Sequence, residues 1–207
     1  MNMDYSLYLV TDESVPTNQL LRVVGEAVEG GVTLVQLREK RSEGKVFYEK
    51  ALKLKQFLKE NYAHIPLIIN DRVDIALAVE ADGVHIGQKD IPVTAVRKII
   101  PESMIVGVSV SNVTEAKEAE KNGADYLGVG PVYWTKTKKE KEALPEGTLE
   151  EVAKSVSIPV VAIGGLKVHN IETVRSEYVA GIAVVSGIMQ AENPREAAEA
   201  YRKSWCD

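Results

Sequence analysis

A closed (β/α)8 TIM barrel is the fold this sequence predicts, and three observations predict it. Short, nearly continuous apolar runs alternate with longer amphipathic stretches along the whole chain. Eight such units average about 26 residues each, near the lower size at which this barrel closes. No dinucleotide fingerprint and no Gly/Ser/Pro-rich linker interrupts the series, which disfavours the open doubly wound sheet that shares the same alternation. The 207 residues therefore read as one barrel domain spanning 1–207.

The strands are expected at residues 7–11, 34–37, 67–69, 83–86, 105–109, 126–129, 160–163 and 182–185. A run that is apolar at nearly every position suits a parallel strand whose outer face is covered by helices. Between the strands lie helical signals. Thr17 stands where it caps a helix carrying Leu20, Leu21, Val24, Ala27 and Val28, which stops at Gly30-Gly31. Ser42 stands where it caps the longest helix, with Phe47, Ala51, Leu54 and Leu58 on one face at three-and-four spacing. Asn112, with Glu115 three residues later, starts a helix over 113–122 that Gly123 ends. Asn193-Pro194 opens the last one, with proline in the first turn, where its missing N–H costs nothing. The joints Ala81-Asp82-Gly83-Val84, Gly123-Ala124-Asp125-Tyr126 and Val179-Ala180-Gly181-Ile182 echo one another, each entering a strand at a similar offset.

Composition narrows the function. Apolar residues make up 45% and charged residues 27%, an ordinary globular balance. No apolar run approaches the ~20 residues of a membrane span, and the polar start carries no signal-peptide pattern. The single Cys206 excludes an internal disulfide and a cysteine metal cluster, so a cytoplasmic protein is expected. A net charge of −5 argues against broad nucleic-acid binding. It leaves small anionic substrates open, because a few cations in one cleft outweigh the global field there.

In such barrels the chemistry sits where the strands end, so the residue after each apolar run is informative. Strand two leads into Gln36, Arg38 and Lys40, which share a face by period two: an amide, a guanidinium and an ammonium that suit a diphosphate, or else pair with Glu39, Asp71 and surface acids. Asp71 and Asp90 follow strands three and four on one rim. Oxygen ligands without nearby Cys or His suit a hard cation such as Mg2+, and the bland reading makes Asp71 a helix cap and Asp90 a loop residue. Asn70 and Ser109 end strands three and five. Gly164-Gly165 and Ser186-Gly187, after strands seven and eight, stand where many barrels bind phosphate through backbone N–H groups; they also fit ordinary tight turns. Strand six runs into Thr135-Lys136-Thr137-Lys138, which suits a second phosphate or a solvated loop, within a long segment, 133–147, of the kind that closes over a reactive intermediate. His85, within strand four, suits a hydrogen-bonded interior role; Tyr133 and Trp134 suit packing at the base of the loop, and their place beside Thr135 leaves stacking on a substrate open. There is no Ser/His/Asp nucleophile set and no phosphate-binding P-loop.

These motifs together resemble the thiamine phosphate synthase family. The resemblance rests on Tyr8-Leu9-Val10-Thr11-Asp12, Gln36-Leu37-Arg38-Glu39-Lys40, Ile69-Asn70-Asp71-Arg72, 82–88 (DGVHIGQ), Gly107-Val108-Ser109, 128–133 (GVGPVY), Thr135-Lys136-Thr137-Lys138, Ala162-Ile163-Gly164-Gly165 and Val184-Val185-Ser186, in family order from the first strand to the eighth. It implies that Gln36, Leu37, Arg38, Glu39, Lys40, Asn70, Ser109 and Lys138 hold a hydroxymethylpyrimidine diphosphate. It implies Asp71 and Asp90 as ligands of one Mg2+, and Thr135, Lys136, Thr137, Gly165, Val185 and Ser186 as the thiazole phosphate site. Arg38, Lys40, Lys138 and Ser109 would then act in catalysis. The implied reaction expels diphosphate from the pyrimidine and needs no protein nucleophile, in keeping with the missing triad.

Three rivals stay open at this stage. A thiazole tautomerase shares the barrel but tends to carry histidine where this chain has Ser111, and usually lacks the full diphosphate set. A Schiff-base aldolase needs a desolvated lysine, whereas Lys138 sits among threonines and lysines. A non-catalytic binder of thiamine-related phosphates would have no use for both metal carboxylates and a diphosphate cradle.

Overall fold

The computed structural model describes residues 3–135 and 142–206. Eight parallel strands close into a barrel in sequence order. They are β1 (Leu7–Val10), β2 (Leu34–Leu37), β3 (Leu67–Asn70), β4 (Gly83–Ile86), β5 (Ile105–Val110), β6 (Tyr126–Val129), β7 (Val160–Ile163) and β8 (Gly181–Val184). Closure is made by β1, which sets Tyr8 opposite Leu34 of β2 on one side and opposite Ala183 of β8 on the other.

The helices cover this barrel unevenly. Those named from the sequence are present: α1 (Thr17–Glu29), α2 (Gly44–Asn61), α5 (Val113–Lys121) and α8 (Pro194–Cys206). The others are short: α3 (Val73–Ala78), α4 (Val93–Val96), α6 (Thr148–Ser155), α7 (Ser186–Met189) and a 3-10 helix at Val168–Val174 between β7 and β8. No helix among the described residues is long and apolar enough to cross a membrane.

Period-two alternation sorts each strand into two cores. Leu7, Leu9, Val35, Leu37, Leu67, Ile69, Val84 and Val106 face outward and pack under the helices. Tyr8, Val10, Leu34, Ile68, Tyr126, Val161 and Ala183 face inward and fill the barrel. Because both faces are dry, the strands read as continuous apolar runs.

Strand ends moved by a residue: β1 stops at Val10, β3 takes in Asn70, β5 runs on to Val110, and β8 is Gly181–Val184 rather than 182–185. Two caps differ as well. Thr17 is the first residue inside α1, behind Pro16, whose fixed φ sets the entry. Ser42 gives its hydroxyl proton to the Glu39 carboxylate, and α2 starts behind Glu43 without a side-chain cap. Asn112 and Asn193 do cap: their Oδ1 atoms accept from the Glu115 and Glu196 amides at 2.9 and 3.2 Å.

Candidate active site

The segment after β2 is held from behind. Glu13 Oε2 accepts from the backbone N–H groups of Lys40 and Arg41 at 2.7 and 3.0 Å, and its Oε1 takes Arg41 Nε at 2.7 Å. Partial burial alone pushes the Glu13 carboxyl up, but these donors outweigh it and hold the group below the ordinary glutamate range. Glu39 turns away from the rim. Its side chain is 1% exposed, and its carboxylate takes Lys50 Nζ at 2.6 Å. Leu37 lies in the outer core, so of the pair only the backbone is available to the rim. Arg38 behaves differently: its guanidinium makes no hydrogen bond among the described residues, although its charge reaches Asp12.

Lys40 reaches across to β3, where its ammonium donates to the Asp71 carboxylate. Asp71 has a φ of 62° and gives its own N–H to the His85 carbonyl at 2.8 Å. It does not cap α3, which opens behind Arg72 with no side-chain cap. The carboxyl instead faces Asp90. Burial raises its pKa, Lys40 pulls it down, and the charge and hydrogen bond of Asp90 push it up again, leaving it above the ordinary value. Asp90 also braces the turn after β4, accepting from Gly87 N–H at 2.7 Å. Among the described residues no cluster of three or more His, Cys, Asp or Glu stands ready for a metal. Beside Asp71, Asn70 is 6% exposed and its Nδ2 is a buried donor with no partner among the described residues. Such an orphan costs about 1–3 kcal/mol, a cost that a ligand oxygen would relieve.

Across the barrel the interior polar groups join into one chain. Gln36 Nε2 donates to the Tyr8 hydroxyl at 2.7 Å, which lies 2.8 Å from that of Tyr126. The Tyr126 hydroxyl is 2.9 Å from His85 Nδ1, and His85 Nε2 is 2.8 Å from Ser109 Oγ. Burial pushes both phenols well up, so they stay protonated. His85 thus has the hydrogen-bonded interior role expected of it.

At the far rim Gly164 and Gly165 have φ of 100° and 69°, a region open to glycine. A Cβ on Gly165 would come within 2.5 Å of Tyr133 Cβ and 2.8 Å of the Trp134 carbonyl. Asn170 steadies this turn, donating to the Gly165 carbonyl at 3.2 Å and accepting from Lys167 N–H at 2.7 Å. Ser186 and Gly187 open α7, where the first amides have no intrahelical acceptor. Ser111 is occupied elsewhere: its N–H and hydroxyl both go to Glu115 Oε2, at 2.7 and 2.9 Å.

One cavity of about 770 Å³ joins these parts. Gln36, Arg38, Asn70, Ser109, Thr135, Gly165, Val185 and Ser186 all line it. Leu37, Glu39, Lys40, Asp71 and Asp90 do not; Lys40, Asp71 and Asp90 form one linked cluster outside that lining, next to Asn70 in the chain. Lys136, Thr137 and Lys138 lie outside the described residues. A slightly larger cavity, about 850 Å³, opens at the opposite end of the barrel beside Thr33, Pro66 and Asp82, away from every candidate residue.

Some lining residues were not drawn from the sequence as site residues: Tyr8, Asp12, Glu13, Tyr126, His169 and Gln190. Asp12 had a signal, since it follows strand one as Asp71 follows strand three. Trp134 departs from the packing role expected: it is 67% exposed at the cavity mouth, while Tyr133 packs on the core and bonds Thr173.

Residues 7–188 match the model of the thiamine monophosphate synthase family (TMP-TENI). The chain is 48% identical over 204 residues to a thiamine-phosphate synthase of Methanobrevibacter smithii, covering 99% of this chain and 97% of that protein. With the thiamine-phosphate synthase of Clostridium acetobutylicum it shares 51% over 198 residues, 95% of this chain and 93% of the other. A solved thiamine phosphate pyrophosphorylase from Pyrococcus furiosus superposes with a TM-score of 0.88 at 41% identity, over 98% of this chain and 96% of that one. A 3-hexulose-6-phosphate synthase, at 19% identity and a TM-score of 0.73, shares the fold alone. On the full-length match, the chain belongs to the thiamine monophosphate synthase family and is an enzyme of the transferase class.

Proposed function

We propose that this enzyme couples 4-amino-2-methyl-5-hydroxymethylpyrimidine diphosphate with hydroxyethylthiazole phosphate, giving thiamine phosphate and diphosphate. The observation that carries the reading is the rim next to Asn70: a buried amide donor without a partner among the described residues, in the cavity that Arg38 also lines, next to the Lys40–Asp71–Asp90 cluster. An oxygen-rich anion suits all of these at once.

Mg2+ fits the two carboxylates. Asp71 and Asp90 are held against each other, which is unfavourable when both are ionised and is relieved by a divalent cation between them. Two protein ligands leave the remaining positions to phosphate oxygens and water, as Mg2+ prefers. Bound there, it would neutralise charge on the leaving diphosphate.

The protein's own part is electrostatic and positional. The bond from the pyrimidine methylene carbon to diphosphate oxygen breaks with its electron pair leaving on the diphosphate, and the electron-rich ring stabilises the methylene cation. The thiazole nitrogen then gives its lone pair to that carbon. Arg38, Lys40 and Lys138 favour the departing charge, and Asn70 and Ser109 hydrogen-bond the pyrimidine diphosphate. Thr135, Lys136, Thr137 and the backbone of Gly165, Val185 and Ser186 hold the thiazole phosphate so that nitrogen and methylene meet. If the thiazole arrives carboxylated, CO2 leaves after coupling. These soluble substrates suit a cytoplasmic enzyme.

The test mixes protein, both substrates and Mg2+, and follows thiamine phosphate by fluorescence after oxidation to thiochrome. Product that vanishes with EDTA supports the reading. No product, with both substrates bound, overturns it.

A further inference from the structure

The interior chain from Gln36 to Ser109 has a direction. The nitrogen of the Gln36 amide donates to the Tyr8 hydroxyl. Among the described residues the only other hydrogen-bond partner of the Tyr8 hydroxyl is Tyr126, so its proton points there. Tyr126, having accepted that proton, has one left, and it faces His85 Nδ1. A neutral imidazole that accepts at Nδ1 carries its hydrogen on Nε2, which faces Ser109 Oγ. Ser109 accepts from the ring and keeps its own proton for the cavity. At the other end the Gln36 carbonyl oxygen is left as an acceptor in the same cavity, which both residues line.

The barrel makes room for this chain. Gly107 of β5 lies where a Cβ would come within 2.1 Å of Tyr126 Cζ and 2.4 Å of its hydroxyl. A Cβ on Gly128 would lie 3.2 Å from His85 Cε1. Any side chain at 107 would displace the middle of the chain. A glutamine side chain cannot pass a proton on, so the chain orients groups and does not conduct.

We propose that Tyr8 and Tyr126, acting through the tautomer of His85, are positioning residues that present Gln36 as an acceptor and Ser109 as a donor to the pyrimidine diphosphate. The identity of that ligand rests on the function proposed above; the polarity of the chain does not. An acceptor at one wall and a donor at the other match the amino group and the anionic oxygens of such a molecule. Reversing the chain would turn the Ser109 proton back toward His85 and leave the ligand facing a lone pair.

The test uses the full-length protein labelled with [15N]histidine. Its three histidines are assigned by difference with His64→Gln and His169→Gln, and long-range 1H–15N correlations read each tautomer. Wild-type His85 is expected in the Nε2–H form. A Nδ1–H or doubly protonated ring at assay pH overturns the proposal, and this needs no variant of the chain to fold. Tyr126→Phe is expected to move His85 out of the pure Nε2–H form and to lower kcat/KM for the pyrimidine diphosphate about tenfold. Adding Ser109→Ala to Tyr126→Phe should then cost little more than Ser109→Ala alone. Independent, additive losses with an unchanged tautomer would make Tyr126 a packing residue only. Wild-type protein that binds both substrates and makes no product overturns the synthase reading, while the imidazole spectrum still decides the polarity.

Discussion

Lys50 Nζ and Glu39 Oε1 stand 2.6 Å apart, on side chains 7% and 1% exposed. Lys50 gives a second hydrogen to the Val15 carbonyl at 3.0 Å, tying α2 to the segment after β1. This buried pair turns Glu39 inward and leaves its neighbour Arg38 to the cavity. Removing one partner leaves an uncompensated charge in a dry place. Lys50→Met is therefore expected to cost about 3–5 kcal/mol in urea unfolding. Adding Glu39→Leu should recover much of it. A loss under about 1 kcal/mol for the single change would show the pair to be loosely held.

Glu13 supplies a pH dependence. Its folded pKa lies below the ordinary value of 4.5, held there by the Lys40 and Arg41 donors against the effect of burial. A depressed carboxyl stabilises the fold fully above the unfolded pKa, and the contribution is lost as pH falls through the folded value. Glu13→Gln is expected to lower stability by about 1 kcal/mol at pH 7, with the difference shrinking below pH 4.5. Urea midpoints of both proteins across pH 3–7 (a range of about four units) read this out. A constant difference at all pH values would contradict the assignment.

Asp71→Ala tests the cation site. Turnover is expected to fall roughly a hundredfold at limiting Mg2+. A rate unchanged at limiting Mg2+ would remove Asp71 from the metal site.

Lys138→Ala is expected to depress kcat far more than it weakens thiazole phosphate binding, as befits a group that meets charge appearing on the leaving diphosphate. Equal losses in the two quantities would assign it to the second phosphate instead.

Gly165→Ala introduces a Cβ against Tyr133 and Trp134 at a positive φ. The expected result is a strain of about 1–2 kcal/mol and a raised KM for the thiazole phosphate, with the KM for the pyrimidine diphosphate little changed. If only the pyrimidine constant moved, the turn after β7 would belong to the other subsite.

By itself the sequence determined the barrel and most of its rim. Eight apolar runs alternating with amphipathic stretches leave few alternatives to a closed parallel sheet, and the residue after each run lands at one end of it because parallel strands all point the same way. Gln36, Arg38, Asn70, Ser109, Gly165 and Ser186 were legible on that rule. Local spacing also placed the Asn112 and Asn193 caps, but not those at Thr17 and Ser42, where Pro16 and the pull of Glu39 on Ser42 intervene. Only the tertiary structure decided which neighbours in the 36–40 run face the cavity, because Glu39 is turned by Lys50, a residue of the next helix. It alone decided that Asp71 meets Lys40 and Asp90 instead of capping α3. The chain from Gln36 through Tyr8, Tyr126 and His85 to Ser109 draws on five strands, and no periodicity within one strand reveals a hydrogen bond to a residue 118 positions away. Such contacts arise when the sheet closes and its inward side chains meet across the barrel.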